Sequence, residues 1–154
     1  EYFRPINHST SAQIDLNSLE IKYPDYVHLS GWQHTLSSSI VKVSSPDNKW
    51  EFQASYLKSN QDDKASAFNQ PGISVKSTKE WKNGWTLGAT IKLNRKTYQQ
   101  ADPFFGRIRK DKEKSVEITV LNRLFQFDDI SPRLHIGRIE NNSNMNLYEF
   151  NRSY

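Results

Sequence analysis

The amino-acid sequence predicts an all-β fold, an antiparallel, up-and-down transmembrane β-barrel. Residues 84–96 (GWTLGATIKLNRK) alternate apolar and polar side chains, as a strand with one apolar and one polar face does. The mean hydropathy is −0.81, yet aromatic residues make up 12% of the chain, whereas disordered chains are polar and poor in aromatics. Short and long connections also alternate along the chain, which is typical of membrane barrels.

The first half of the chain contains four predicted strands. In the first strand, Ile14 and Leu16 share a face before the apolar parity slips to Leu19, and such a slip predicts a β-bulge near Asn17 and Ser18. The second strand is long enough to be bent or to project beyond its neighbours. The third alternates aromatic with polar residues, and the fourth has a weaker pattern. We place these strands at residues 12–22, 27–43, 50–59 and 73–79.

The second half contains four more predicted strands. The fifth, the run quoted above, follows Asn83 and Gly84, a dipeptide typical of hairpin turns. The sixth alternates Val116, Ile118 and Val120 with polar residues. The last two strands close the chain. We place these four strands at residues 84–96, around 116–120, 133–139 and 145–154.

The connections predict which strand ends lie together. Residues 44–49, 80–83 and 126–131 are short connections, whereas residues 60–71 and 98–112 are long ones. In an up-and-down barrel this alternation places the short turns at one end and the long loops at the other. Two further connections, residues 23–26 and 140–144, are then expected at the long-loop end although both are brief.

Alternation alone does not show whether the apolar faces contact lipid or a protein core, because a soluble lipocalin-like barrel also alternates. Three features favour lipid. Most runs have about nine to eleven residues, the length of a tilted strand that crosses a bilayer. The polar faces carry Lys92, Glu117 and Arg133, which suit a water-filled interior. Aromatic residues, which membrane barrels place at both interfaces, lie near strand ends: Tyr23, Tyr26, Trp50, Trp81, Trp85, Tyr98, Phe125 and Phe127.

Composition excludes several kinds of chemistry. The chain of 154 residues has no cysteine, which excludes disulfides and thiolate sites, and it has no run of about 18 apolar residues that would form a transmembrane helix. The four histidines (His8, His28, His34, His135) lack metal-ligand spacing. Asp62-Asp63 and Asp128-Asp129 are adjacent pairs whose side chains would point in opposite directions on a strand. We therefore predict no enzyme activity, no catalytic residue and no metal or cofactor.

The densest basic stretch is residues 107–114, in a chain of formal net charge +4. It contains no aromatic residue, which disfavours nucleic-acid binding. We consider Arg107, Arg109, Lys110 and Asp111 candidates for an ordered charged element that shapes the rim of the pore or contacts a molecule that passes through it. The alternative is a solvated strand end whose cations face water or lipopolysaccharide phosphates.

The last third of the chain resembles the C-terminal barrel of the surface lipoprotein assembly modifier (Slam) family of Gram-negative outer-membrane proteins. The resemblance depends on four segments in the order and spacing of the family. They are FGRIRKD at residues 105–111, KSVEITVLNRLF at 114–125, SPRLHIG at 131–137 and NNSNMNLYEFNR at 141–152.

This resemblance implies a protein that helps surface lipoproteins, or related secreted proteins, to cross the outer membrane, with transferrin-binding and haem-scavenging proteins among the clients. It also implies a periplasmic tetratricopeptide-repeat domain, and a barrel with more strands than eight. Residues 1–154 are therefore expected to be the C-terminal part of an outer-membrane barrel domain. The barrel is expected to be monomeric. Its expected partners are a client protein, membrane lipid and lipopolysaccharide. Two alternatives stay open: a general porin or structural barrel, and a soluble lipocalin-like ligand-binding barrel.

Overall fold

Nine antiparallel strands form a single sheet in the computed structural model, which describes residues 2–125 and 131–154. Each strand pairs with its neighbours in chain order, so the topology is up-and-down and the predicted all-β class is confirmed. Among the described residues β1 and β9 are the two free edges, so the sheet is an open part of a barrel. The strands are β1 Tyr2–Asn7, β2 Thr10–Ile21, β3 Gly31–Ser45, β4 Asn48–Gln61, β5 Phe68–Glu80, β6 Trp85–Ala101, β7 Ile108–Asn122, β8 Arg133–Ser143 and β9 Phe150–Ser153.

The strands are longer than the sequence pattern indicates. β6 has 17 residues, and β3 and β7 have 15 each. They extend into the predicted long loops, whose connections shorten to residues 62–67 and 102–107. Apolar alternation therefore identifies only the middle of each strand. The ends of the strands are polar on both faces and show no alternation, yet their backbones continue the same hydrogen-bonded ladder.

Several predicted strand boundaries are wrong. Val27–Leu29 is a 3-10 turn, and the strand expected from residue 27 begins at Gly31, where a Cβ would collide with the backbone carbonyl of Asn60. Asn146–Tyr148 is a second 3-10 turn inside the predicted last strand. The expected turn at 140–144 is mostly strand, since β8 reaches Ser143. β1 was not predicted. In the described residues no helix is long and apolar enough to span a membrane.

The bulge predicted near Asn17 and Ser18 is also wrong. β2 pairs with β3 without interruption from Thr10 opposite Lys42 to Ile21 opposite Gly31. Because the ladder is regular, Leu19 points to the face opposite that of Leu16. Leu19 is therefore an apolar residue on the polar face, which explains the slip in parity.

The two ends of the sheet differ as predicted. Residues 8–9, 46–47 and 81–84 connect strands at the short-turn end, where Gly84 has a φ of +86° and closes the turn by donating to Trp81 O. Residues 22–30, 62–67, 102–107 and 144–149 connect strands at the long-loop end. The predicted short turn 126–131 lies almost wholly outside the described residues, together with Phe127 and Asp128-Asp129.

The apolar face of the sheet is its exposed side. On β3 the outward apolar residues Trp32, Leu36 and Ile40 are exposed, whereas the inward polar residues are more enclosed: Gln33, Thr35, Ser37 and Ser39. On β6, Trp85, Leu87 and Ile91 are 47%, 38% and 52% exposed. Across the sheet this face forms continuous rows, such as Ile40, Phe52, Val75, Ile91 and Val116 on β3–β7. Among the described hydrophobic residues only Ala67 and Met145 are buried, so these rows do not meet in an interior core.

Candidate functional site

The turn at residues 102–107 shapes the rim at the long-loop end. Asp102 organises it, because its Oδ1 accepts hydrogen bonds from the backbone N–H groups of Phe104 at 2.9 Å and Phe105 at 3.1 Å. The N–H of Gly106 donates to Asp102 O at 2.8 Å, and Gly106 has a φ of +62°, a left-handed conformation that favours glycine. The turn therefore brings β7 back along β6 with its first inward-facing residue, Arg109, directed at the inner, polar face.

The guanidinium of Arg109 contacts one carboxylate and two aromatic rings of this chain. Its guanidinium makes a two-point contact with Asp111, at 2.7 Å from Nη2 to Oδ2 and 3.1 Å from Nε to Oδ1. The same group lies over the ring of Tyr148, 3.6 Å from the centroid, and over that of Tyr98, 4.7 Å away. A planar guanidinium can pair with a carboxylate and stack on aromatic rings at once, which an ammonium cannot do as well. The Asp111 side chain is only 5% exposed, so the pair is a buried one.

Tyr148 links the cluster to the turn. Its hydroxyl donates to Asp102 Oδ2 at 2.7 Å. This hydrogen bond is the main reason that the pKa of Asp102 lies below its usual value and that the pKa of Tyr148 lies above its own. The charged carboxylate and the neutral phenol are therefore the stable forms at neutral pH. We call Asp102, Arg109, Asp111, Tyr98 and Tyr148 the rim cluster.

Two asparagines hold the last connection, residues 144–149, in place: Asn144 bonds to the start of β7, and Asn141 bonds from β8 to the connection. Asn144 Oδ1 accepts from the N–H of Lys110 at 2.8 Å, and its Nδ2 donates to the carbonyl of Ile108 at 2.9 Å. The buried Asn141 donates through Nδ2 to the carbonyl of Tyr148 at 2.8 Å. These bonds place Tyr148 over Arg109. They also join two of the segments that carry the family resemblance, residues 105–111 and 141–152.

The four predicted contact residues separate into different environments. Arg109 and Asp111 lie together on the inner face. Lys110 lies between them in sequence and faces outward, because side chains alternate along a strand. Arg107 is exposed in the turn, where its carbonyl accepts from Asp102 N at 2.9 Å. The structure therefore brings together two of the four.

Sequence reasoning missed Asp102 and Tyr148, and it placed Tyr98 among the interface aromatics. Tyr98 instead faces inward, against Arg109. A usable signal existed for Tyr98, because its even number gives it the parity of Lys92 on the polar face of β6. No local signal connects Asp102 with Tyr148, which lie 46 residues apart.

A cavity of about 440 Å³ opens beside the rim cluster. Its walls combine aromatic and aliphatic side chains with acidic ones: Leu29, Asp63, Phe68, Tyr98, Phe104 and Tyr148. In the described part of the chain no three His, Asp or Glu residues lie close enough together to hold a metal ion. The cavity has room for one or two amino-acid side chains and is open to solvent.

The exposed apolar rows, the enclosed polar face and the ordered rim define this chain as a section of an up-and-down β-barrel. The chain belongs to the surface lipoprotein assembly modifier family, since the model of the family described as Surface lipoprotein assembly modifier matches residues 4–154. This confirms the resemblance seen in the last third and extends it to nearly the whole chain.

Three relatives are similar to this chain. Surface lipoprotein assembly modifier 1 of Haemophilus influenzae is 25% identical over 134 residues, covering 87% of this chain and 28% of the relative. The protein of the same description from Neisseria meningitidis serogroup B is 31% identical over 106 residues, covering 64% and 22%. Surface lipoprotein assembly modifier of Pasteurella multocida is 21% identical over 162 residues, covering 99% and 32%. The chain thus spans a third or less of the length of these relatives. No solved structure matches it.

Proposed function

We propose that this chain is the C-terminal part of an outer-membrane β-barrel domain that helps surface lipoproteins, or related secreted proteins, to cross the outer membrane. The observation that carries the proposal is the exposed apolar face opposite an enclosed polar face, in a chain of this family. In a bilayer, acyl chains would cover the exposed face and water would fill the other side. The relatives are named for the assembly of surface lipoproteins, and we extend that role to this chain.

The length of the apolar stretch supports the membrane part of the proposal. On β6 the outward residues are apolar from Trp85 to Leu93 and polar from Arg95 onward. A stretch of about nine residues is enough for a tilted strand to cross the hydrocarbon layer. The rest of β6 and the rim cluster would then stand in water at the long-loop end, which we assign to the cell exterior.

The rim supports contact with a client. Arg107 is exposed in the turn and has no ion pair among the described residues, so it is free to bind an acidic group of a client. Arg109 and Asp111 satisfy one another and act by holding the turn in place. Lys110 faces outward and lies closer to lipid headgroups than to the pore. We therefore propose a direct client contact for Arg107 and a positioning role for Arg109 and Asp111.

The proposed role is not enzymatic. The description of the family names the assembly of surface lipoproteins and no reaction. With no energy source proposed for the barrel, the driving force for export would come from the folding of the client outside the cell or from partner proteins.

Deletion of the gene in cells that express a client lipoprotein tests the function. We expect the client to accumulate in the periplasm, measured as loss of antibody labelling on intact cells with an unchanged total amount. Complementation with the Arg107→Ala variant should restore labelling partly, and complementation with Lys82→Ala, at the short-turn end, should restore it fully. Full surface labelling in the deletion strain would contradict the proposal.

A general porin is the second candidate, favoured by the enclosed polar face with residues such as Gln33, Thr35 and Ser37. The full-length protein in planar bilayers separates the two functions. Large, steady conductance would favour a porin, whereas a closed pore that still restores client display would favour the assembly factor. A lipocalin-like soluble barrel would bury Trp85, Leu87 and Ile91, which are exposed.

A further inference from the structure

A series of cations borders the apolar face at the long-loop end. On four strands, the outward residue next to the last apolar one is basic. These neighbours are Lys58 beyond Tyr56 on β4, Arg95 beyond Leu93 on β6, Lys114 beyond Val116 on β7, and Arg138 beyond Ile136 on β8. At the short-turn end the corresponding positions of β4, β6 and β8 are Asn48, Asn83 and Pro132. On these four strands a cation therefore borders the apolar band at the long-loop end, whereas at the short-turn end a cation directly follows the band on β3, where Lys42 lies beyond Ile40.

The border contains a groove of about 380 Å³ between β5, β6 and β7. Its apolar wall consists of Pro71, Ile73 and Leu93, and its basic wall of Arg95, Lys112 and Lys114. We call these six residues the basic groove. Extending the register of β5 and β6 past Gly72 opposite Asn94 places Pro71 opposite Arg95. Proline has no N–H to donate to the ladder, and the ladder between β5 and β6 is interrupted at this position.

The cations of the basic groove have no ionic partner within the described chain. Arg95 lies directly opposite Lys112, and like charges at such positions repel one another. No ion pair joins either residue to a carboxylate among the described residues. Glu113 faces inward and accepts from Asn94 Nδ2 at 3.0 Å. Glu140, opposite Lys114, accepts from Asn142 at 2.8 Å. An anion from outside the chain would relieve this repulsion.

We propose that the basic groove binds a lipid A phosphate of lipopolysaccharide, with an acyl chain lying along Ile73 and Leu93. The proposal rests on the membrane location proposed above. The groove supplies both halves of an amphipathic anion site: a guanidinium and two ammonium groups for phosphate oxygens, and directly below them apolar side chains that are 59% and 43% exposed. Basic residues at a membrane surface attract anionic headgroups, and lipopolysaccharide is the anionic lipid of the outer leaflet, which the long-loop end faces.

Binding of fluorescent lipopolysaccharide to the full-length protein in detergent tests the proposal. The Arg95→Gln/Lys112→Gln variant should bind roughly tenfold or more weakly, in line with two lost surface cations. A matched control, Lys76→Gln/Lys92→Gln, removes two exposed lysines from the polar face of β5 and β6 and should bind within about twofold of wild type. The charge-conserving swap Arg95→Lys/Lys112→Arg should retain most of the binding.

The competitors identify the ligand. Dephosphorylated lipid A should compete poorly, and phosphatidylglycerol vesicles should compete less well than lipopolysaccharide. Equal competition by phosphatidylglycerol would overturn the assignment to lipopolysaccharide, as would an equal loss of binding in the control variant.

The same strains separate this inference from the proposed function. Suppose that the double variant binds lipopolysaccharide normally and that deletion of the gene leaves the client in the periplasm. That result would contradict lipopolysaccharide binding at the basic groove and would still support the export role. Loss of binding in the double variant, in a protein whose deletion leaves client display unchanged, would support the groove and overturn the export role.

Discussion

At the long-loop end, the cations on the two faces of β6 and β7 differ in whether they have partners within the chain. On the inner face, Arg109 is paired with Asp111 and stacked between two tyrosine rings. On the outer face, Arg95 and Lys112 lie opposite one another, exposed and without an ion pair to any carboxylate of the described residues. Only the thickness of one sheet separates the two arrangements. The chain itself neutralises the guanidinium of Arg109 on the inner face, whereas the proposed lipopolysaccharide phosphate would neutralise the cations on the outer face.

This difference separates residues that stabilise the rim from residues that are available to ligands. A run such as 107–114 looks like one basic segment in sequence, but alternation sends its members to two surfaces with different chemistry. Substitutions on the inner face should therefore change stability, and substitutions on the outer face should change lipid binding.

The largest effect is expected for Arg109→Ala. The substitution leaves the Asp111 carboxylate, 5% exposed, without its cation, and loss of one partner of a buried pair costs about 3–5 kcal/mol. It also removes the group on which both tyrosine rings stack. Urea unfolding of the full-length protein in detergent, followed by tryptophan fluorescence, measures the loss.

Lys110→Ala is the matched control for that experiment, because it changes the next residue on the opposite face. Its side chain is exposed and outside any ion pair of the described residues, so we expect a change within about 0.5 kcal/mol. Equal losses in Arg109→Ala and Lys110→Ala would show that the two faces do not differ as the structure indicates.

The next effect concerns the apolar band. Ile91→Arg would place a charge among the exposed apolar residues Val75 and Val116, and a charge on the lipid face costs about 2–4 kcal/mol near the middle of a bilayer. Thr90→Arg introduces the same side chain one residue away on the polar face, and it should cost much less. Folding yield and unfolding free energy in lipid vesicles measure both. A larger loss for Thr90→Arg would reverse our assignment of the faces.

The fold class could be predicted because its signal is local. Alternation in residues 84–96 determines the faces of β6 by itself, and Asn83-Gly84 determines the turn before it. The ends of the strands could not be predicted, because polar residues occur both in the last residues of a hydrogen-bonded strand and in the loop that follows it. The two 3-10 turns, Val27–Leu29 and Asn146–Tyr148, lie within predicted strands because each contains residues that are common in strands, such as Val27 and Tyr148.

The candidate site was predictable only in part. Residues 107–114 were recognised as unusual from their charge alone. The contact of Asp102 with Tyr148 depends on the pairing of β7 with β8 and on the path of the last connection, so no spacing in the sequence predicts it. The basic groove likewise needs the register that sets Arg95 opposite Lys112.

A smaller effect, with a characteristic pH dependence, is expected for Tyr148→Phe. In the wild type the pKa of Asp102 is lowered mainly by the hydroxyl of Tyr148. The pKa of Asp102 is lower in the folded protein than its ordinary value of 3.8. The stabilisation from the hydrogen bond between Tyr148 and Asp102 is therefore fully present above pH 3.8, and it is lost as the pH falls through the pKa of the folded state. The difference in unfolding free energy between wild type and variant should therefore shrink in acid.

The alkaline side gives the second half of the same test. The pKa of Tyr148 is raised, chiefly by its bond to Asp102, so that contribution is present below the ordinary value of 10.0 and is lost as the pH rises through the folded pKa. A stability difference between wild type and Tyr148→Phe that is constant from acid to alkali would contradict the bond.

The smallest effect is expected for Lys112→Glu, and it has the opposite sign. The glutamate would attract Arg95 across the strands instead of repelling it, so the unfolding free energy in detergent should rise by about 0.2–1 kcal/mol. Arg95→Glu should raise it similarly, whereas the double variant restores a pair of like charges and should lose both gains. That non-additivity in a double-mutant cycle is the signature of a direct pair.

If each single variant gains stability but also loses lipopolysaccharide binding, the repulsion between these two cations is a feature of the ligand-free protein that the bound phosphate relieves. Additive effects in the cycle would mean that the two side chains do not interact, and the outer face would then lack the paired cations that distinguish it from the inner one.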